Sequence, residues 1–231
     1  RLGKRVVLEL DDDLYLVVHL MIAGRFRWEK RGAKATGKIV LAAFDFPDGT
    51  LLLTEASQKK RASIHVVRGA DALAAHHAGG IEPLECDLDA FTAALTRESH
   101  TVKRVLTDPR VFSGIGNAYS DEILHAARLS PVKQTGKLAP EEIARLFDAV
   151  REVLTRWSER LRADFATRFP GPGDVTAFRP DFAVHGRYGE PCPVCGKPVQ
   201  RIRYADNETN YCAVCQNEGR RLADRALSRL L

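Results

Sequence analysis

The chain has 231 residues, 45% of them hydrophobic and 28% charged, with 35 Lys and Arg against 30 Asp and Glu and a net charge of +5. That much apolar material supports one sizeable core or two modest ones and argues against a disordered chain, while the mild positive balance favours a polyanionic partner without specifying one. No stretch approaches the roughly 20 apolar residues that span a bilayer and no charged-then-apolar leader opens the chain, so the expectation is a soluble, cytoplasmic protein with no membrane partner.

The chain opens as if inside a sheet. Arg1 is not methionine, and Arg5–Leu10 alternates at once, which reads as an N-terminal truncation. Tyr15–Leu20, Ile39–Phe46, Thr50–Thr54 and Ala62–Val67 are further short runs rich in apolar and β-branched residues. Asp11-Asp12-Asp13 and Pro47-Asp48-Gly49 supply turns between neighbours, so at least two hairpins and a small antiparallel sheet or sandwich are expected over residues 1–80.

Past Gly79-Gly80 the period becomes helical. Shorter patterns fit Leu88–Thr96, Val102–Leu106 and Ala118–Ala127. A long amphipathic helix follows Pro140 and two glutamates, with Ile143, Leu146, Phe147, Val150, Val153, Leu154, Trp157 and Leu161 as its core stripe. Phe169–Asp174, with two prolines and two glycines, reads as a linker that closes a helical domain over 81–172.

Five cysteines are few for a secreted disulfide scaffold. Cys86 stands apart as a small, partly buried residue, whereas Cys192-x2-Cys195 and Cys212-x2-Cys215 have the spacing at which two tight turns offer four thiolates to one tetrahedral zinc. Two disulfides, or a redox pair, are the alternatives. Gly196 suits a knuckle turn, and Val199, Ile202 and Tyr204 suggest a β-hairpin between the pairs. A closed four-cysteine site leaves no open coordination position, so the metal, one zinc, is expected to be structural. This finger occupies 182–217, with a helical tail over 218–231.

Gly114-Ile-Gly-Asn117 precedes a helical pattern. Glycines admit close backbone approach, and a helix N-terminus offers unpaired N–H groups to a phosphate. Asn117 is placed to cap that helix and to touch a nucleic acid backbone, with Lys103 and Arg104 as nearby cations. An ordinary tight turn with a cap is the competing reading.

Together these pieces resemble the formamidopyrimidine-DNA glycosylase and endonuclease VIII family. Thr101–Asp108, Gly114–Leu124 and Ser130-Pro131 are similar to its helix–two-turn–helix, and Val184–Cys192 with Tyr211–Gln216 to its zinc finger. Arg1–Leu10 with His19-Leu20 and Gly24 resembles part of its N-terminal β domain. The resemblance implies an α+β multidomain protein: a partial N-terminal antiparallel sheet or sandwich, a helix–two-turn–helix domain and a C-terminal zinc-finger hairpin. It also implies base excision repair. The damaged, oxidised base is flipped from double-stranded DNA, the glycosidic bond is cut through a Schiff base, and the abasic strand is nicked by elimination, by a monomer associated with the nucleoid.

The family's nucleophile is an N-terminal proline amine followed by a glutamate. Neither stands at Arg1, so this chain is expected to be inactive where the full-length protein acts. Lys4 matches the lysine that the resemblance assigns to strand cleavage, although alone it reads as a solvated strand-end lysine. Lys103 and Asn117 match contacts to backbone phosphates.

Three departures stand out. Asp206-Asn207-Glu208 occupies the hairpin tip where the family usually has an arginine, leaving Asn207 as the DNA contact and putting a second elimination in doubt. Gln58–Ser63 replaces the loop that fills the gap left by the flipped base, keeping Lys60 and Arg61 as DNA contacts and losing the aromatic wedge. Met21 is displaced by one position from the family's gap-filling methionine. A non-catalytic zinc-containing protein of the same fold that binds damaged DNA is the second reading. An unrelated zinc-ribbon transcription or RNA factor explains the cysteines but not the Gly-Asn helix start.

Overall fold

The computed structural model describes residues 1–176, 178–204 and 207–223, with the side chains of Tyr204 and Asn207 left aside. They form two compact units, Arg1–Ala78 with Arg162–Thr176, and Gly79–Leu161 with the described part of 177–231. No helix among the described residues is long and apolar enough to cross a membrane.

The first unit holds two three-stranded antiparallel sheets. One has the order β1 (Arg5–Leu10), β2 (Leu14–His19), β6 (Ser63–Arg68), and the other β3 (Gly24–Glu29), β5 (Gly49–Glu55), β4 (Val40–Phe46). The two hairpins expected from the aspartate run and from Pro47-Asp48-Gly49 are present, pairing Leu10 with Leu14 and Phe46 with Gly49. Asp12 and Asp13 take positive φ (59° and 57°) at the first turn, a conformation short polar side chains tolerate. Strand β3 escaped the sequence reading because three of its residues are Arg25, Arg27 and Glu29, yet Phe26 and Trp28 alternate with them as a half-buried strand requires. Central strands β2 and β5 carry most of the burial. The sheets pack through Leu16, Val18 and Leu53, a small core flanked by Leu8, Leu20, Phe26, Ala42, Phe44 and Ile64.

A five-residue helix, α1 (Ala70–Ala74), closes the β segment. In the second unit α2 (Leu88–Thr96), α3 (Val102–Thr107), α4 (Asn117–Ala126) and α5 (Pro140–Asp164) surround a larger core. Asp87 caps α2 by accepting from Ala90 N at 2.8 Å. The stripe of α5 buries Ile143, Leu146, Val150, Val153 and Trp157, and Trp157 meets Phe182 edge to face at 4.8 Å. Residues 171–174 form one turn, closed by Asp174 N donating to the Gly171 carbonyl, as their prolines and glycines favour. Hairpin β7 (Gln200–Tyr204) and β8 (Asn207–Tyr211) leads into α6 (Ala213–Asn217). Residues 218–223 have no helix, and the remainder of the expected helical tail lies outside the described residues.

Candidate metal centre and nucleic-acid interface

The four cysteines of the two knuckles come together with their sulfurs all within 4.8 Å of one another. Cys192 Sγ lies 3.9 Å from Cys215 Sγ, and Cys195 Sγ 3.4 Å from Cys212 Sγ. A disulfide needs about 2.0 Å, whereas a tetrahedral ion with Zn–S bonds of about 2.3 Å needs sulfur edges of about 3.8 Å. The donor set therefore fits one structural zinc. Gly196 takes φ 72° at the first knuckle, where a side chain would be strained. The backbone N–H of Lys197 holds the Cys195 thiol down to about 7, whereas burial raises the Cys212 and Cys215 thiols.

Helix α4 fastens this centre to the helical core. His125, on its last turn, places Nε2 3.3 Å from Cys192 Sγ. One turn earlier Glu122 is buried and accepts from three successive amides, Ala183 N at 2.7 Å, Val184 N at 3.0 Å and His185 N at 2.9 Å. Beside it the fully buried Asp121 accepts from His185 Nδ1 at 2.7 Å and Asn210 N at 3.1 Å, and pairs with the Lys103 ammonium. Gln216 spans from Cys212 N to the Leu129 carbonyl at 2.8 and 2.9 Å. Buried carboxylates persist only when their oxygens are satisfied, and here each is.

The glycine-flanked helix start is formed as well. Gly114 has φ 84°, and Gly116 is the residue before the first turn of α4. Asn117 does not cap its helix. Its Nδ2 instead donates to the Glu208 carbonyl at 2.8 Å, because β8 runs close enough to offer that partner. Lys103 Nζ donates to the Asn117 carbonyl at 2.9 Å as well as to Asp121, so its ammonium points into the module rather than out to solvent, and burial lowers its pKa. The structure thus brings Lys103 and Asn117 together but gives each an internal partner.

In the first unit Lys4 is exposed at the start of β1, and protein atoms crowding it lower its pKa. His19, paired across the strands with Arg5, is also lowered, chiefly by burial and then by Arg5 and Lys4. The loop before β6 is organised by Glu55, whose buried carboxylate accepts from Arg61 N at 2.9 Å and Ala62 N at 3.1 Å. Lys60 Nζ donates to the Glu55 carbonyl, and the Arg61 side chain is exposed. In the turn between β2 and β3, Met21 takes φ 52°, while the more exposed apolar tip is its neighbour Ile22 at 80%.

At the zinc hairpin Asp206 and the Asn207 side chain lie outside the described residues. Glu208 Oε2 sits 3.5 Å from both Arg201 and Arg203, two hairpin cations not singled out from sequence. Asp121, Glu122, His125, His185, Asn210 and Gln216 were missed too. The available signal was two adjacent acids in the middle of an otherwise core-facing helix, a costly place unless each has a partner.

Residues 80–163 match the family model described as the formamidopyrimidine-DNA glycosylase H2TH domain, and residues 189–217 match the zinc finger found in FPG and IleRS. An uncharacterized formamidopyrimidine-DNA glycosylase-like protein of Mycobacterium tuberculosis is 40% identical over 152 residues, 66% of this chain and 93% of that one. The formamidopyrimidine-DNA glycosylase of Heliobacterium modesticaldum is 33% identical over 222 residues, covering 94% of this chain and 80% of its own. Among solved structures, Lactococcus lactis Fpg in complex with DNA containing an abasic site superposes with a TM-score of 0.80 at 28% identity, covering 94% of this chain and 80% of that one. MutM (Fpg) of Thermus thermophilus gives 0.77 at 31%, with 95% and 82% covered.

Proposed function

The chain belongs to the formamidopyrimidine-DNA glycosylase family, and from that premise we propose that it binds damaged double-stranded DNA for base excision repair, as part of a glycosylase and abasic-site lyase for oxidised bases. The observation that carries this reading is the Asn117 bond to Glu208 O, which joins the α4 N-terminus to the zinc hairpin. Two elements suited to the sugar–phosphate chain are thereby held as one piece. The first-turn amides of α4 supply the donors and the helix dipole the field. Asn117 and Lys103 act by holding that turn and hairpin in place, with Lys60 and Arg61 supplying cations from the first unit. Lys4, with a lowered pKa, suits a proton-transfer role at the strand-cleavage step.

We assign the chain binding and positioning of the damaged duplex. A binding protein without chemistry is the second reading, and Glu208 favours it, because its carboxylate partly neutralises Arg201 and Arg203 on the hairpin.

Titration with a duplex carrying a tetrahydrofuran abasic analogue tests both. Tighter binding than to undamaged duplex is expected, weakening steeply with added salt, and borohydride treatment with abasic-site DNA separates the two readings. Equal affinity for damaged and undamaged duplex would refute the repair reading, and a covalent adduct would refute the reading without chemistry.

A further inference from the structure

Helix α4 meets the metal module along one stripe. Asn117, Asp121 and His125 follow one another at four-residue steps, so they share a face of the helix. Asn117 reaches the Glu208 carbonyl, Asp121 reaches the Asn210 amide and the His185 ring, and His125 reaches the Cys192 sulfur. The first two residues bind the frame of the module. The third binds one of the atoms that would hold the metal, with its imidazole buried and Nε2 3.3 Å from Sγ.

The cysteine sulfurs do not draw their hydrogen bonds from the same source. Cys212 Sγ accepts from Cys215 N at 3.5 Å, and the Lys197 N–H is turned to Cys195, so each of these two uses the backbone of its own knuckle. Cys192 instead uses a side chain 67 positions earlier in the sequence. A metal-bound thiolate has no proton to give, so in the zinc-loaded protein Nε2 carries the hydrogen and His125 is the donor. Four thiolates with one zinc leave a net charge of about −2, and both Cys192 and Cys212 are buried. An N–H aimed at sulfur offsets part of that charge where water cannot. An apolar side chain would fill the same space, so packing by itself does not call for a nitrogen at this point. The last turn of a helix favours a cation, but that preference is met by any outward-facing base and does not explain a ring turned inward to sulfur.

We propose that His125 is a positioning residue of the metal centre: it donates to Cys192, ties the first knuckle to α4 and sets how tightly this chain holds zinc. The proposal rests on the four-thiolate centre and is independent of what the chain binds through its phosphate-directed groups.

The test measures zinc affinity of the whole chain by chelator competition, for the parent and for His125→Leu, His125→Phe and His125→Gln. Leucine and phenylalanine keep apolar bulk and remove the donor, whereas the glutamine amide offers an N–H near the former Nε2 position. The two donor-free variants are expected to hold zinc about 10- to 100-fold more weakly, and the glutamine variant to stay within about threefold of the parent. Replacement of zinc by cobalt adds a readout that packing alone does not move. Loss of the donor raises the energy of the sulfur electrons, so the thiolate-to-cobalt charge-transfer band of the donor-free variants should lie at lower energy than the parent's, with glutamine returning it. Parent-like affinity in the donor-free variants, a band at the parent's energy, or a glutamine variant as weak as leucine would each overturn the proposal. A parent chain that takes up no zinc would remove the four-thiolate centre itself, and the role of His125 with it.

Discussion

The two units solve the problem of a small core in different ways. The β unit relies on sheet geometry and a thin apolar interior centred on Leu16, Val18 and Leu53, with Glu55 as its buried acid tying down one loop. In the second unit a large apolar core is joined to a metal knuckle by buried charge, with Asp121, Glu122, His125 and His185 all on or against α4. Apolar packing tolerates small adjustments, whereas a network of paired charges has to form as a whole or leave costly orphans. The region proposed to present phosphate-directed donors at fixed spacing is the one built the second way.

That contrast can be broken most forcefully at the metal. Cys212→Ser, or chelation, should release zinc and abolish hydrogen-exchange protection across β7, β8 and residues 183–186, because structural zinc supplies on the order of 10 kcal/mol to a hairpin of this kind. Protection in β1, β2 and β5 should be unchanged. Retained zinc at one per chain with normal protection would contradict the four-thiolate assignment.

Next in size is Asp121→Ala, which strands the Lys103 ammonium in a buried site and should lower unfolding stability of the second unit by about 3–5 kcal/mol in denaturant titration. Adding Lys103→Met should recover a substantial part of that loss. A double variant no better than the single would show that the ion pair is not what Asp121 contributes.

Leu53→Ala probes the thin core of the first unit. A cost near about 2–3 kcal/mol is expected, with faster proteolysis confined to the β segment and zinc content unaffected. Equal loosening of the helical unit would remove the distinction between the two modes of construction.

The smallest effect lies at Asp108, whose hydrogen bonds from the Arg110 side chain, together with the Arg110 amide, hold its carboxyl down to about 2. Because the folded value is lower than the unfolded one near 3.8, this stabilisation is fully present above that unfolded value and disappears as pH falls towards 2. The Arg110 side chain is 71% exposed, so solvent screens its pairing with Asp108, and Asp108→Asn should shift the acid-unfolding midpoint only slightly. A large change in stability at neutral pH would mean that Asp108 has a further role.

Much of the fold was legible before any coordinates. Alternation gave five of the six strands in the first unit, and the three-and-four spacing gave α2 to α5 to within a residue or so, since both periods follow from backbone geometry. Strand β3 was obscured by Arg25, Arg27 and Glu29 on its polar face. At the candidate site the cysteines were legible because ligand spacing is local, and Asn117 was legible as a residue but not in its action. A cap and a long-range amide bond look the same in sequence, and only the approach of Glu208, 91 positions away, selects between them.

The amino-acid sequence alone therefore determined the metal ligands, helices α2 to α5, most of the strands and the glycine-flanked turn, all of which depend on residues a few positions apart. Tertiary structure decided which way Lys103 points, what Asp121 and Glu122 are for, and that His125 meets Cys192. The physical reason is that a buried charge or a donor turned to sulfur is defined by its partners, and those partners come from parts of the chain that share no local pattern.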